Sequence, residues 1–180
     1  MALPSAGLIY EIASGTGQHV VHFALQNPGL TWQPTDLDGE SFSHCAKRIA
    51  ASGCQNIREP IVLDVHDEQW PQEKAAGLVC INMIHIAPWS ATENLFRGAA
   101  QILLPSAPMV LYGPYRRNGE HTAPSNAAFD ENLKSRNPEW GVRDLEDVVS
   151  VASAHGIELE SVKQMPANNF AVVFRRNGAS

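Results

Sequence analysis

The sequence has few cysteines and no long apolar run. Its three cysteines, Cys45, Cys54 and Cys80, form no C-x-x-C pair, which predicts reduced thiols in a cytoplasmic protein, with neither a disulfide framework nor a metal site. No stretch reaches the ~18 apolar residues of a membrane span. The N-terminus lacks the basic segment and apolar run of a secretory signal. We therefore expect a cytoplasmic protein with no membrane contact.

Positive charge is also scarce. Thirteen Lys and Arg residues stand against 19 Asp and Glu residues, a formal net charge of −6. A protein that binds duplex nucleic acid needs a clustered basic face, so we expect no nucleic-acid partner. The sequence does have the composition of a globular domain, 44% hydrophobic and 18% charged. Its 180 residues predict a single domain over 1–180.

Apolar runs alternate with helical periodicity along the chain. Five strands are predicted at Gly7–Ala13, Leu30–Asp36, Pro60–Val65, Gly77–Asn82 and Pro108–Tyr112, and four helices at Gln18–Gln26, Ser41–Ser52, Ser90–Leu104 and Asp144–His155. The last helix leads into two successive strands, Ile157–Met165 and Phe170–Arg175. This order predicts a doubly wound α/β sheet that ends in an antiparallel hairpin. The segment Gly113–Gly141 shows no clear period, and we interpret it as a functional connection or one that hides a short helix.

A glycine turn follows the first predicted strand. The residues E-I-A-S-G-T-G run from Glu11 through Ala13 and Gly15 to Gly17, at the sheet edge where doubly wound folds bind ligands. Asp36 comes 19 residues after Gly17, where an acid can accept hydrogen bonds from ribose hydroxyls. The G-x-G-x-x-G motif of dinucleotide-binding folds requires a third glycine at the position where this chain has Val20. The turn suits a ligand with ribose and no phosphate, such as S-adenosylmethionine, whose ammonium Glu11 can attract.

Two further strand ends carry polar residues. Asp64 and Val65 end the third predicted strand, where a carboxylate can accept from the exocyclic amine of adenine while apolar groups pack on the ring. Asn82 ends the fourth strand and offers amide contacts, and His85 follows within the same loop. An imidazole at that place can remove a proton from an acceptor or orient one. We therefore take His85 as the candidate catalytic residue.

Three motifs carry a family resemblance. The stretches E-I-A-S-G-T-G-Q-H, N-M-I-H-I-A-P-W and L-Y-G-P-Y-R-R-N-G-E-H-T-A-P-S-N resemble the class I S-adenosylmethionine-dependent methyltransferases. More narrowly, the chain resembles the methyltransferase-like 26 group over about Gly7 to Arg176. The resemblance implies a three-layer αβα sandwich with the Rossmann-like seven-stranded methyltransferase sheet and S-adenosylmethionine as cofactor.

The resemblance also sets expectations about the acceptor and the cofactor. The fourth strand ends in N-M-I-H and not in the Asn/Asp-Pro-Pro-Tyr motif of nucleobase and glutamine methyltransferases, which again argues against a nucleic-acid substrate. Members of the group usually begin with a helical segment that helps cover the cofactor. Because six residues precede Gly7, we expect that segment to be missing here and the cofactor cleft to be more open.

The segment after the fifth strand should form the acceptor wall. Its candidate acceptor-binding residues are aromatic, polar or cationic: Tyr115, Arg116, His121, Asn126, Phe129 and Arg143. The planar guanidinium group of arginine forms paired hydrogen bonds with carboxylate or phosphate oxygens, so we expect a small, anionic acceptor. We also expect a monomeric or homodimeric enzyme. Two alternatives stay open at this point. One is a non-catalytic domain that keeps the fold for protein interaction, and the other is an NAD(P)-dependent reductase, which Val20 disfavours.

Overall fold

The computed structural model describes residues 3–37 and 39–178. The described residues form ten strands and five α-helices. The strands are β1 (Gly7–Ile12), β2 (Leu30–Asp36), β3 (Ile61–Val62), β4 (Gly77–Ile81), β5 (Pro108–Gly113), β6 (Tyr115–Arg117), β7 (Glu120–His121), β8 (Arg143–Asp144), β9 (Ile157–Met165) and β10 (Asn169–Arg176). The helices are α1 (Gln18–Gln26), α2 (Phe42–Ser52), α3 (Trp89–Ile102), α4 (Pro124–Arg136) and α5 (Leu145–Ala154).

Seven strands form one twisted sheet in the order β3-β2-β1-β4-β5-β10-β9. The first five are parallel, and β10 runs antiparallel to both β5 and β9. The predicted doubly wound sheet with an antiparallel C-terminal hairpin is confirmed. Because the strand order reverses between β1 and β4, the carboxyl ends of these two strands flank a crevice in which such folds bind ligands.

The core is divided between the two faces of the sheet. Alternate residues of β1 point to opposite faces, so Leu8 and Tyr10 join one buried cluster and Ile9 joins the other. The larger cluster packs α3 and α5 on the sheet through the buried side chains of Leu95, Phe96 and Val148, among others. The smaller cluster packs α1 on the other face through Val20 and Ala24. These layers fix the strand ends that carry the predicted site residues.

One expectation about secondary structure is met and another needs correction. The segment 113–141 does contain a helix, the 13-residue α4, together with β6 and β7, and β6 pairs with β7 and β8 in a separate three-stranded sheet. The third strand spans only Ile61–Val62 and not Pro60–Val65. It lies at the sheet edge, and its pairing with β2 ends where Asp64 begins a turn by accepting the backbone N–H of His66 at 2.9 Å.

Candidate functional site

The carboxyl ends of β1 to β4 open onto a cavity of about 420 Å³, a size typical of small-molecule sites. Its wall is mostly apolar with a few carboxylates. The lining residues are Ile12, Ala13, Asp36, Leu37, Leu63, Asp64, Val65, His66, Met83, Ile86, Ala87, Pro88, Ala91 and Trp140. Four of the predicted cofactor-binding residues, Ala13, Asp36, Asp64 and Val65, are therefore neighbours on one cavity wall.

Asp36 ties the glycine turn to the end of β2. Its Oδ2 accepts the backbone N–H of Gly15 at 2.7 Å, and its Oδ1 accepts that of Leu37 at 2.8 Å. An ionised carboxylate has about four lone-pair sites, so it can accept further hydrogen bonds from a ligand. Ala13, Gly15 and Gly17 all have positive φ angles, of 57°, 52° and 75°. A side chain at Gly17 would also press on the Sγ of Cys45 in α2, which leaves glycine as the residue that fits.

Glu11 lies beneath this turn and is 1% exposed. Its Oε2 has no hydrogen-bond partner among the described residues. Burial raises the pKa of this carboxyl to about 7, the Ser14 hydroxyl lowers it in part, and the negative charge of Asp36 raises it further. A buried acid without a partner is a place where a ligand cation would be stabilised.

Asp64 is fixed by a hydrogen-bonded series at one end of the cavity. Its Oδ1 lies 2.9 Å from Nδ1 of His66, and Nε2 of His66 lies 3.1 Å from the hydroxyl of Ser90 at the start of α3. The backbone N–H of His66, followed by its ring, holds the pKa of Asp64 below its usual value. Asp64 therefore stays ionised and presents an oriented acceptor at the cavity wall.

His85 lies in the short 3-10 turn after β4, next to the positive-φ residue Asn82 (φ 60°). It is 0% exposed, and neither ring nitrogen has a partner among the described residues. Burial, reinforced by the nearby charge of Arg143, lowers its pKa to about 3, so the ring is neutral at physiological pH. The absence of a side chain at Gly113 makes room for it, because a Cβ there would overlap the imidazole and approach Oδ1 of Asn82 at 3.1 Å.

Of three further predicted acceptor residues, one packs on His85 and two lie on the β6–β7 hairpin. Tyr115 is fully buried, its ring meets that of His85 edge-on with centroids 5.2 Å apart, and its hydroxyl has no partner in the described part of the chain. Arg116 and His121 pair across the β6–β7 ladder. Each has one buried nitrogen, Nε of Arg116 and Nδ1 of His121, without a partner among these residues.

The other three predicted acceptor residues have different surroundings. Arg143 donates to the carbonyl oxygens of Ile84 (2.9 Å), Ala87 (2.5 Å) and Glu139 (2.9 Å), so it holds the loop after β4. Asn126 donates to Thr122 Oγ1 and to the carbonyl of Asn168, which fastens α4 to the hairpin turn. Phe129 is 40% exposed on α4. Arg143 and Asn126 thus have structural partners, and their contacts with an acceptor stay predictions.

The structure adds residues that spacing did not indicate. Trp140 comes from the loop after α4 to line the cavity, and Met83 and Ile86 line it from the turn after β4. His66, which the sequence left without a partner, contributes to the wall beside Asp64. The spacing of Asp64 and His66, two residues apart, is the one sequence feature that could have predicted their contact. No sequence feature indicated Trp140, which is far from these residues along the chain.

The described residues contain neither a membrane-spanning helix nor a cluster of metal-binding side chains. Among the helices in ranges 3–37 and 39–178, none combines the length and the apolar sequence that crossing a bilayer requires. The same ranges contain no group of three or more His, Cys, Asp or Glu side chains placed to hold a metal ion.

Comparison with known proteins gives a family and a fold. A family model described as "Protein of unknown function (DUF938)" matches residues 1–176. An O-methyltransferase family protein from Burkholderia thailandensis is 14% identical, with a TM-score of 0.84 over 97% of this chain and 52% of that one. Human N-acetylserotonin methyltransferase, solved in complex with S-adenosylmethionine, is 14% identical, with a TM-score of 0.81 over 96% of this chain and 48% of that one.

A third solved structure has the same likeness. CalO1, a methyltransferase in calicheamicin biosynthesis solved in its S-adenosylhomocysteine-bound form, is 14% identical, with a TM-score of 0.82 over 98% of this chain and 50% of that one. The chain spans about half the length of these structures. At such low identity the likeness shows the fold, which is the Rossmann-like fold of class I methyltransferases.

Proposed function

The chain belongs to the DUF938 family, and we propose that it is an S-adenosylmethionine-dependent methyltransferase that acts on a small molecule. The observation that carries the proposal is the cavity at the strand ends, whose wall brings Ala13, Asp36, Asp64 and Val65 together. The methyltransferase fold, with relatives solved in complex with S-adenosylmethionine or S-adenosylhomocysteine, supports the same reading.

The residues present fit this cofactor. Asp36 would accept from the ribose hydroxyls, and the ionised Asp64 would accept from the exocyclic amine of adenine, with Val65 and Met83 as apolar contacts. Glu11, whose Oε2 lacks a partner in the described residues, would receive the ammonium of the methionine moiety near Gly15 and Gly17. Asn82, at the end of β4, would add an amide contact. The cofactor, when bound, supplies an activated methyl group on a sulfonium.

The chain's own contribution to transfer is placement and exclusion of water. Orientation of the two reactants is worth up to ~7–11 kcal/mol in favourable cases. His85 is the proposed catalytic residue, because its buried ring has two nitrogens without a partner among the described residues. Its pKa of about 3 makes the ring a weak base that stays neutral, so its role is to accept a hydrogen bond from an acceptor hydroxyl and orient it. Tyr115 packs against that ring and keeps its plane fixed. A general base is needed for an acceptor that loses a proton as it is methylated.

Isothermal titration calorimetry with S-adenosylhomocysteine tests the proposal. The wild type should bind it, and Asp36→Asn should weaken binding by more than ~1 kcal/mol, about fivefold, because hydrogen bonds to a charged acceptor are lost. Asp67→Asn is the matched control, since this exposed aspartate on the next loop lies outside the cavity lining and its substitution should leave the affinity unchanged.

Three other results would contradict the proposal. Binding of NAD without S-adenosylhomocysteine would favour the reductase. Binding of neither ligand would favour a non-catalytic interaction domain. Equal affinities of wild type and Asp36→Asn would exclude the placement of the ribose on β2.

The finer assignments stay predictions. Membership of the methyltransferase-like 26 group rests on the three sequence motifs. A cytoplasmic location, a monomeric or homodimeric state and the absence of a nucleic-acid partner rest on composition, charge and the end of β4.

A further inference from the structure

Arg116 differs from the other arginines of the chain. Eight of the nine arginines contact an acid, a backbone carbonyl or an aromatic ring: Arg48, Arg58, Arg97, Arg117, Arg136, Arg143, Arg175 and Arg176. Within residues 3–37 and 39–178, Arg116 has no such contact, although it is half-buried and its Nε is shielded from water. A guanidinium removed from water without a counter-ion costs free energy, so the position favours a bound anion.

The acids beside Arg116 do not pair with it. Asp144, its register partner on β8, directs Oδ2 to the N–H of Gly119 at 2.6 Å and Oδ1 to that of Glu146 at 3.3 Å. Asp130 accepts from Lys134 at 2.6 Å and from the N–H of Val142 at 2.8 Å, and its Oδ2 lies 3.5 Å from Nε2 of His121. Neither carboxylate bonds to Arg116 in the described part of the chain.

Further donors and a second cation lie on the same side of the molecule. His121 faces Arg116 across the β6–β7 ladder, and its buried Nδ1 has no partner among the described residues. Arg143 lies within electrostatic range of Arg116: burial lowers the pKa of Arg143 most, Asp130 raises it, and the charge of Arg116 lowers it by a smaller amount. Among the described residues, Arg143 is bound by carbonyl oxygens and not by a carboxylate. Two arginines without a hydrogen-bonded carboxylate therefore lie near each other in a chain of net charge −6.

This group is joined to the proposed catalytic residue. Tyr115, the neighbour of Arg116 on β6, packs against His85 with ring centroids 5.2 Å apart. Arg143 bonds to the carbonyl of Ile84, the residue before His85. The small sheet that carries Arg116 therefore packs against the turn that carries His85.

We propose that Arg116, with His121 beside it, binds a carboxylate or phosphate group of the methyl acceptor, which is therefore a small anion. The assignment to a methyl acceptor rests on the proposed function, whereas the anion site itself does not. Arginine forms paired, charge-assisted hydrogen bonds with either group. The β6–β7 hairpin thus selects the acceptor by an anionic group distinct from the atom that is methylated.

Nuclear magnetic resonance of the arginine Nε–Hε groups tests the site directly. Inorganic phosphate and, separately, acetate are titrated into the ¹⁵N-labelled full chain, with sodium chloride holding the ionic strength constant. The Arg116 signal, assigned by its loss in Arg116→Gln, should shift and saturate with at least one of the two anions. The Arg117 signal is the internal control, because its Nε donates to Glu146 at 3.0 Å.

Two variants complete the test. The anion affinity, followed at the backbone amides of Tyr115 and His121, should fall about tenfold or more in Arg116→Gln and stay unchanged in Arg117→Gln. Arg116 has no hydrogen bond or ion pair within the described ranges, so its substitution should leave the fold intact. The anion that saturates distinguishes a carboxylate from a phosphate ligand.

The contrary results are equally specific. An Arg116 signal that moves in proportion to salt and in parallel with Arg117, or an unchanged anion affinity in Arg116→Gln, would overturn the site. The titration is repeated with S-adenosylhomocysteine present. Saturable anion binding in a chain that fails to bind S-adenosylhomocysteine would contradict the proposed function and leave an anion site that has no link to methyl transfer.

Discussion

At the scale of single residues, Glu11 shows most clearly how the site opposes stability. Its folded pKa of about 7 lies above the ordinary 4.5, so the folded chain binds more protons than the unfolded chain between these values. Protonated Glu11 therefore favours the folded chain, and this contribution to the free energy of unfolding is complete below pH ~4.5. It is lost as the pH rises to about 7 and Glu11 ionises in the folded chain. The difference between the folded and unfolded pKa values corresponds to about 3 kcal/mol.

Glu11→Gln should therefore stabilise the empty chain and weaken its ligand binding. Thermal or urea unfolding at pH 8 should show a gain of up to about 3 kcal/mol, and this gain should shrink towards pH 5. The wild-type affinity for S-adenosylhomocysteine should rise from pH 5.5 to 7 as Glu11 ionises, and the variant should lack that rise. A variant less stable than wild type at pH 8, or one that keeps the pH dependence of binding, would show that Glu11 is not the buried group that titrates.

Single residues also mark how far the sequence predicted the site. Glu11, Asp36 and Asp64 could be selected because each comes at the end of a predicted strand, and parallel strands end at one sheet edge. His66 and Trp140 could not, since their place on the cavity wall depends on how loops fold back. The hydrogen-bond partners of Arg143 and Asn126 could not be predicted either, because most are backbone carbonyl oxygens, which every residue has.

At the scale of elements, α4 explains why the segment 113–141 showed no period. Its buried positions are Asn126, Asp130 and Leu133, so polar side chains occupy places where an apolar stripe would have shown the period. The helix is docked by hydrogen bonds and ion pairs as much as by apolar contact. The five parallel strands and α3 were predicted because their apolar residues recur at the spacing of a buried strand or helix face.

Asn126→Ala should detach α4 in part. The change removes the bonds from Nδ2 to Thr122 and Asn168 and leaves the Asn168 carbonyl without this donor, which should cost about 1–3 kcal/mol in urea unfolding. Asn132→Ala on the exposed face of the same helix is the control, because it has the same change in helix propensity. Equal stability of the two variants would contradict this account of the docking of α4.

At the scale of the whole molecule, alternation of strand and helix was enough to predict the sheet. Its topology brings the ends of β1 to β4 to one cavity, and the β6–β7 hairpin carries Arg116 and His121. A net charge of −6 gave no sign of an arginine without an acidic partner. Arg116 lacks one among the described residues because Asp130 and Asp144 bond to other donors, which depends on their folded positions.

The most direct test of the central claim is a crystal structure of the chain grown with S-adenosylhomocysteine. The account predicts the ligand in the 420 Å³ cavity, with its ribose hydroxyls on the carboxylate of Asp36, its adenine at Asp64 and Val65, and its ammonium near Glu11. A ligand bound elsewhere would contradict the account, for example in the 320 Å³ cavity that Leu3, Pro105 and Arg175 help to line. An empty cavity at a saturating ligand concentration would contradict it as well.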